Sequence, residues 1–156
     1  MSLYPSGSTK SRAWFPLFAW IGVIFFFSTD TFSSPHTSGF IAGILRFLFP
    51  FLSATQLVFW HGVFRKAGHV TEYAILGFLA WRTFNIYPWS GHKSKLFAAA
   101  FVLAVALTDE LHQSYVPSRT GSLVDVGYDF IGCLIVLMLL PRSKNESRTL
   151  PSHSVL

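Results

Sequence analysis

The chain has 156 residues, of which 51% are hydrophobic, 17% aromatic and only 12% charged. A disordered or nucleic-acid-wrapping protein needs a charge-rich, aromatic-poor sequence, so both classes are excluded. An average soluble domain is about 25% charged, and half that amount argues against an ordinary water-exposed surface. The length allows one domain, and the single cysteine, Cys133, excludes an internal disulfide and a cysteine-rich zinc site. The composition therefore predicts an all-α membrane protein.

Four apolar segments predict membrane spans, each of which takes about 20 residues. The predicted transmembrane helices cover residues 13–28, 66–87, 96–113 and 123–140. A further segment, residues 39–52, reaches only about 20 Å as a helix and contains Pro50, which predicts a short interfacial or re-entrant half-helix. Residues 13–140 thus form the predicted membrane domain, with tails at 1–12 and 141–156.

Local signals mark two helix boundaries and the orientation. Ser53-x-x-Gln56 has the form of a capping box that opens a helix, and Pro141 ends the fourth span. Basic residues collect on the cytoplasmic side of membrane proteins. With the N-terminus inside, that side receives Lys10, Arg12, Arg82, Lys93, Lys95, Arg142, Lys144 and Arg148. The pattern predicts an inner or plasma membrane protein with both termini cytoplasmic.

Most of the acidic residues lie in or beside predicted spans, namely Glu72, Asp109, Glu110, Asp125 and Asp129. An ionisable group in a bilayer costs several kcal/mol unless it is paired or hydrated, which makes it a functional-site candidate. These residues occupy the start of the second span, the end of the third and the start of the fourth. Because consecutive spans alternate in direction, all three clusters are predicted on the external side, where they face one another.

Helical spacing places the polar residues of each span on one face: Lys66, His69 and Tyr73 in the second, Asp109, His112 and Gln113 in the third, and Asp125, Asp129 and Gly132 in the fourth. Glu110 points to one side of its helix, and Gly132 permits a neighbouring helix to approach closely. Structural interpretations stay open for several of these residues. Asp125 fits a capping box with Ser122 at the start of the fourth span. The Lys66 side chain can extend to the lipid headgroups, and Tyr73 can belong to the belt of aromatic residues at the membrane interface.

The motifs along the chain are Lys66-x-x-His69-x-x-x-Tyr73-x-x-Leu76-Gly77, Asp109-Glu110-x-His112-Gln113, Pro117-x-Arg119, Asp125 and Gly132, preceded by Phe27-Ser28 and Phe32-Ser33-Ser34. Their joint spacing resembles the VanZ-like family of small bacterial membrane proteins over roughly residues 15–140. The chain departs from the family at Ser118, which is usually Gly, and at Asp129, which is usually Asn. The resemblance implies a multi-pass fold and the location of the site. The name-giving member is associated with resistance to the glycopeptide teicoplanin, and no activity is established for the family.

Binding of an amphiphile is the first functional hypothesis. Lys66 and Arg119 would pair with a phosphate or carboxylate of an envelope lipid or a glycopeptide-related amphiphile. The remaining ligand-binding candidates are Tyr73, Gln113 and Asp125, and the charge of the site would be set by Glu72, Asp109, Glu110 and His112. The predicted partners are membrane lipids or a lipid-linked envelope substrate, and no nucleic acid.

Two alternatives remain. A metal-dependent hydrolase would use a divalent metal as cofactor, with candidate ligands His69, Glu72, Asp109 and His112 and with Glu110 as a further catalytic candidate. A structural subunit would stabilise a larger membrane complex by binding a membrane protein partner through the apolar half-helix at 39–52. The same acidic residues, paired with Arg119 and Lys66, would then specify helix packing. The sequence leaves the choice between these functions open.

Overall fold

A computed structural model of the chain describes residues 7–30, 34–89, 91–119 and 121–141. These residues form five helices and no strand: α1 (Gly7–Phe27), α2 (Ser34–Leu48), α3 (Ala54–Phe84), α4 (Gly91–Ser114) and α5 (Leu123–Leu139). The predicted all-α fold is confirmed for this part of the chain. The predictions for the first six residues, for 31–33 and for the tail from 142 onward fall outside the described residues.

Helix α1 is the one helix in the described part of the chain that is long and apolar enough to cross a membrane, through the 18 residues Lys10–Phe27. Only 17% of that stretch is buried within the protein, and Phe15 and Phe18 are among the apolar side chains that it exposes. The first predicted span is consistent with this helix. The other three spans stay a prediction.

Pro16 lies inside α1 and leaves a helical carbonyl without its usual donor. Proline has no backbone N–H, so the carbonyl of Arg12, four residues earlier, loses its intrahelical partner. Nη2 of Arg82 in α3 lies 3.5 Å from that carbonyl oxygen. One residue further along each helix, the Thr83 hydroxyl donates to the Ala13 carbonyl at 3.0 Å. The start of α1 is therefore held against the end of α3. Further along α1, Nε1 of Trp20 donates to the carbonyl of Glu72, earlier in α3, at 3.0 Å, so the two helices are antiparallel.

Helix α3 is the longest helix and begins where the capping box predicts. The Ser53 hydroxyl accepts a hydrogen bond from the Gln56 backbone, and the Gln56 side chain accepts one from the Ser53 backbone. The helix has 31 residues and is about 46 Å long, which exceeds the thickness of a bilayer core of about 30 Å. It therefore begins well before the predicted span at 66–87 and ends at Phe84.

Helix α2 overlaps the predicted half-helix at 39–52 but is shifted towards the N-terminus, since it covers Ser34–Leu48. It ends before Pro50 because proline disfavours the helical conformation of the preceding residue, Phe49. It packs against α3, and its outer face exposes Phe40 and Phe47.

Helices α3 and α5 make the most extensive helix–helix contact. Lys66 pairs with Asp125 and, one turn further along both helices, His69 pairs with Asp129, so the two helices are parallel. Helix α4 connects the end of α3 to the start of α5 and runs antiparallel to both. The start of α3, the end of α4 and the start of α5 thus lie at one end of the bundle, as the alternation of the polar clusters predicts.

Two glycines permit the close approach of α3 and α5. A Cβ atom on Gly132 would overlap the carbonyl oxygen of Val70 and would lie 3.1 Å from the Val70 Cα. A Cβ atom on Gly77 would lie 3.1 Å from Sγ and 3.2 Å from Cα of Cys133. The interpretation of Gly132 as a close-approach residue agrees with this geometry. Small residues bring the two backbones together, which lets short side chains on α3 and α5 meet.

The apolar core lies between α1, α3, α4 and α5 and includes Leu17, Ile24, Tyr73, Leu76, Ala98, Val102, Ala106 and Cys133. At the end of the bundle where α4 meets the start of α5, the buried residues become polar, namely Asp109, Glu110, Gln113 and Asp129. Polar groups are usually buried only where they have partners or a function. This end of the bundle is therefore the candidate site.

Candidate functional site: a polar cavity at one end of the bundle

A cavity of about 210 Å³ opens at the polar end of the bundle. It lies between α1, α2, α3, α4 and the loop that follows α4. One wall is apolar, from Ile24, Phe27 and Ile41. The polar part of the lining comes from Ser28, Arg65, His69, Glu72, Asp109, Gln113 and Arg119. The cavity thus offers charged groups of both signs beside an apolar surface.

Arg119 holds the loop after α4 against two helices. Its Nη1 donates to the Gln113 side-chain oxygen at 3.2 Å, and its Nη2 donates to the Phe27 carbonyl at 2.7 Å, at the end of α1. Gln113 in turn donates to Oδ2 of Asp109 at 2.9 Å. Burial lowers the pKa of the Arg119 guanidinium from its usual value, and the nearby Arg65 lowers it further, while carboxylates such as Asp109 oppose the shift.

Ser118 links this loop to the residues that follow α1, because its hydroxyl donates to the carboxylate of Asp30. Glycine, which the family resemblance implies at this position, has no hydroxyl and could not make this bond. The Ser118 hydroxyl therefore adds one hydrogen bond to the attachment of the loop beside the cavity.

Three helices contribute an imidazole and two carboxylates to the cluster behind the cavity. Nδ1 of His69 in α3 lies 3.0 Å from Oδ1 of Asp129 in α5. Glu110 in α4 accepts a hydrogen bond from the Ser122 backbone at 2.7 Å through its Oε2. One ligand atom from each of His69, Glu110 and Asp129 lies within 4.8 Å of the other two. We call these three residues the triad.

Several buried polar atoms at this end have no hydrogen-bond partner among the described residues. They are Oδ1 of Asp109, Oε1 of Glu110, Oδ2 of Asp129, the Tyr73 hydroxyl and Nε of Arg119. A buried polar atom without a partner is costly, so these atoms call for a partner such as water, an ion or a ligand. Their concentration beside the cavity distinguishes this end of the bundle from the apolar core.

Lys66 and Asp125 form a separate pair on the outside of the α3–α5 contact. Their charged atoms lie 3.5 Å apart, and the Lys66 ammonium also lies 3.9 Å from the ring centre of Tyr128. The Lys66 side chain is 45% exposed. Arg65, the neighbouring residue on α3, lines the cavity in its place. The capping box of Ser122 and Asp125 is not formed, because the Ser122 backbone N–H donates to Glu110 and the Ser122 hydroxyl accepts from the Val124 backbone.

His112 also stands apart from the cavity. It is exposed, and its ring packs at an angle on that of Phe25 in α1, with ring centres 5.7 Å apart. The predicted face of Asp109, His112 and Gln113 therefore needs correction, because Asp109 and Gln113 are buried with Glu110 while His112 points outward. Helix α4 is rotated so that Glu110, which the sequence predicts to point to one side, faces the start of α5.

The predicted site residues thus fall into three groups. Lining the cavity are His69, Glu72, Asp109, Gln113 and Arg119. Buried beside it are Tyr73 and Glu110. Away from it lie Lys66, Asp125 and His112. The sequence assigned no ligand, catalytic or metal role to Asp129 or Arg65. The shared face of Asp125 and Asp129 was a signal for Asp129, and the sequence carries none that separates Arg65 from Lys66.

Comparison with known proteins supports the family resemblance. The family model of VanZ/LLP1 matches residues 13–144, which is most of the chain and includes every residue that lines the cavity. No curated protein gives a significant match, and neither does any solved structure. The chain belongs to the VanZ/LLP1 family.

Proposed function

We propose that this chain is a multi-pass membrane protein whose cavity binds the headgroup of an amphiphilic envelope lipid. The observation that carries the proposal is the composition of the cavity, which sets two arginines and two carboxylates beside an apolar wall. A headgroup with a phosphate and with hydroxyl or ammonium donors matches both signs of charge. The attached chain would follow the apolar side formed by Ile24 and Ile41.

The size of the cavity favours a headgroup over a whole drug-like molecule. Pockets for drug-sized ligands occupy about 300–1,000 Å³, whereas this cavity measures about 210 Å³. A glycopeptide is larger still and does not fit inside. Of the ligands that the sequence leaves open, the cavity therefore supports the headgroup of a lipid or lipid-linked substrate.

The outer surface of the bundle supports the membrane assignment. Large apolar side chains are exposed on every helix, including Phe18 on α1, Phe47 on α2, Phe59 on α3, Leu111 on α4 and Met138 on α5. A soluble monomer rarely exposes apolar surface on this scale. Lipid tails cover such surface at no cost, so we propose that all of α1, α3, α4 and α5 cross the membrane.

The charge distribution supports an outward-facing cavity. Arg82 lies beside the start of α1, and Lys95 donates to the Leu140 carbonyl at the end of α5. Both basic residues are therefore at the end opposite the cavity. Because basic residues mark the cytoplasmic side, the cavity faces outward in this proposal, and both termini are cytoplasmic.

The proposal is tested by measuring the phospholipid that the full chain retains in mild detergent, using native mass spectrometry. We expect Arg119→Gln and Arg65→Gln to reduce lipid retention by about 10- to 100-fold, since a hydrogen bond to a charged group contributes about 1.5–3 kcal/mol. Arg82→Gln removes the same charge at the opposite end and serves as the matched control. Circular dichroism verifies that each variant remains helical.

Two results would contradict the proposal. In one, wild-type protein carries no phospholipid after purification and also fails to take up phosphatidylglycerol or phosphatidylethanolamine added in mixed micelles. In the other, Arg82→Gln lowers retention as much as the two cavity variants do. Arg65→Gln makes the test robust, because loss of binding in that variant does not depend on the contacts by which Arg119 holds its loop.

A further inference from the structure

The triad has the form of a metal-ligand set contributed by three different helices. His69 comes from α3, Glu110 from α4 and Asp129 from α5, and their potential ligand atoms lie within 4.8 Å of one another. Nδ1 of His69 and Oδ1 of Asp129 are 3.0 Å apart, a hydrogen-bond distance that also allows both atoms to contact one ion. Three groups that are distant in sequence therefore converge on one small volume.

Both carboxylates of the triad are buried, and in each of them only one of the two oxygen atoms has a hydrogen-bond partner among the described residues. Glu110 is 5% exposed and Asp129 is fully buried. Oε1 of Glu110 and Oδ2 of Asp129 have no hydrogen-bond partner among the described residues. A buried carboxylate is stable when a cation or several donors compensate it, and these two oxygens lack such compensation from the protein.

Two of the nearby cationic side chains have partners outside the triad. Lys66 pairs with Asp125 on the outside of the helix contact, and Arg119 donates to Gln113 and Phe27. His69 is the one triad member that can carry a positive charge, and it already contacts Asp129. A cation bound between the two carboxylates would balance negative charge that the contact with His69 alone does not balance.

We infer that the triad binds one first-row divalent cation, of which Zn²⁺ and Mn²⁺ fit the donor set best. Imidazole suits zinc, and carboxylate oxygens suit both zinc and manganese. In a tetrahedral site, ligand atoms at about 2.0–2.2 Å from the ion lie about 3.3–3.6 Å from one another. The triad atoms lie within 4.8 Å of one another, so side-chain rotations would have to bring the most distant pair about 1 Å closer when an ion binds.

Supporting contacts orient two of the three ligands. The Ser122 backbone N–H holds Oε2 of Glu110 at 2.7 Å and leaves Oε1 available. Gly132, one turn beyond Asp129, fixes the approach of α5 to α3 that brings Asp129 to His69. Such outer contacts are typical of metal sites, where they fix the ligand geometry. Three protein ligands leave coordination positions for water or a ligand oxygen.

The metal site differs from the set that the sequence predicts. Of the predicted ligands, only His69 belongs to the triad; Glu72 and Asp109 line the cavity and His112 is exposed. The inference rests on the triad alone and holds whether or not the cavity binds a lipid. His69 also lines the cavity, so the ion would lie at the boundary of the proposed headgroup site.

The experiment measures metal binding by the full chain, purified in mild detergent through a tag without histidines. The protein is stripped with EDTA, dialysed against Zn²⁺ or Mn²⁺, and analysed by inductively coupled plasma mass spectrometry and by calorimetric titration. We expect about one ion per chain from a single three-ligand site. Asp129→Asn and Glu110→Gln should each weaken binding by at least about 10-fold, since even loss of an outer contact has an effect of that size.

Asp125→Asn is the matched control, because it removes an acidic residue of the same helix that lies outside the triad. It should bind the ion as wild type does. Added Zn²⁺ should also raise the melting temperature of wild type and of Asp125→Asn but not of Asp129→Asn, a comparison that needs each variant to be helical by circular dichroism. Failure of stripped wild type to bind either ion, or equal losses in Asp125→Asn and Asp129→Asn, would overturn the inference. Neither of these two outcomes changes the expected loss of lipid in Arg65→Gln and Arg119→Gln, so the two proposals can fail separately.

Discussion

Gly132→Ala tests whether α3 and α5 are as close as the structure places them. The added Cβ would overlap the Val70 carbonyl oxygen and lie 2.9 Å from the Val70 carbonyl carbon. Both atoms belong to the backbone, so no side chain can rotate away and the helices must separate. Overpacking of this kind costs about 1–3 kcal/mol. Since 1 kcal/mol shifts the melting temperature of a chain of this size by about 3 °C, we expect a decrease of roughly 3–9 °C.

Gly127→Ala is the matched control on the same helix. No atom lies within 4 Å of the position that a Cβ would occupy on Gly127, and alanine is the better helix former by about 0.8–1.0 kcal/mol. This variant should melt at the same temperature as wild type or slightly above it. The measurement is thermal unfolding in one detergent, followed by circular dichroism. Equal melting temperatures for the two variants would refute the close packing of α3 and α5.

The orientation and a helix cap give two further predictions. In intact spheroplasts, an impermeant maleimide should label Tyr115→Cys, which lies on the exposed loop near the cavity, but not Lys93→Cys at the opposite end. The buried native Cys133 should stay unlabelled in both variants. Labelling of Lys93→Cys but not of Tyr115→Cys would invert the proposed orientation. Ser53→Ala should lower the free energy of unfolding by about 0.5–2 kcal/mol, because it removes the oxygen that accepts from the Gln56 backbone. An unchanged melting temperature in Ser53→Ala would show that the cap contributes nothing to stability.

Local signals in the sequence predicted several features well. The pair Ser53 and Gln56 marks the start of α3 because both halves of a capping box lie within four residues. Pro141 marks the end of α5, which stops at Leu139. The alternation of spans predicted that the three polar clusters meet at one end, and the contact between His69 and Asp129 agrees with it.

Contacts between helices could not be predicted in the same way, because periodicity gives the face of a helix but not its rotation relative to its neighbours. Arg65 and Lys66 are consecutive and point about 100° apart, and the sequence favoured Lys66 for the site although Arg65 lines the cavity. The rotation of α4 likewise exposes His112 and buries Glu110. The pairing of Asp129 with His69 was likewise visible only in the structure, where α3 and α5 bring the two side chains together.

The pairing of α3 with α5 has a consequence for biosynthesis. Helix α3 leaves the ribosome before α5, with α4 and two loops between them. Until α5 arrives, Lys66 lacks Asp125 and His69 lacks Asp129. In the proposed membrane topology, α3 would therefore enter the translocon with unpaired polar groups on the face that α5 later covers. In that topology, the insertion of α3 alone would be unfavourable, and the pairing with α5 would complete it. A nascent chain that stops before Leu123 would carry the face of α3 that α5 covers in the complete fold.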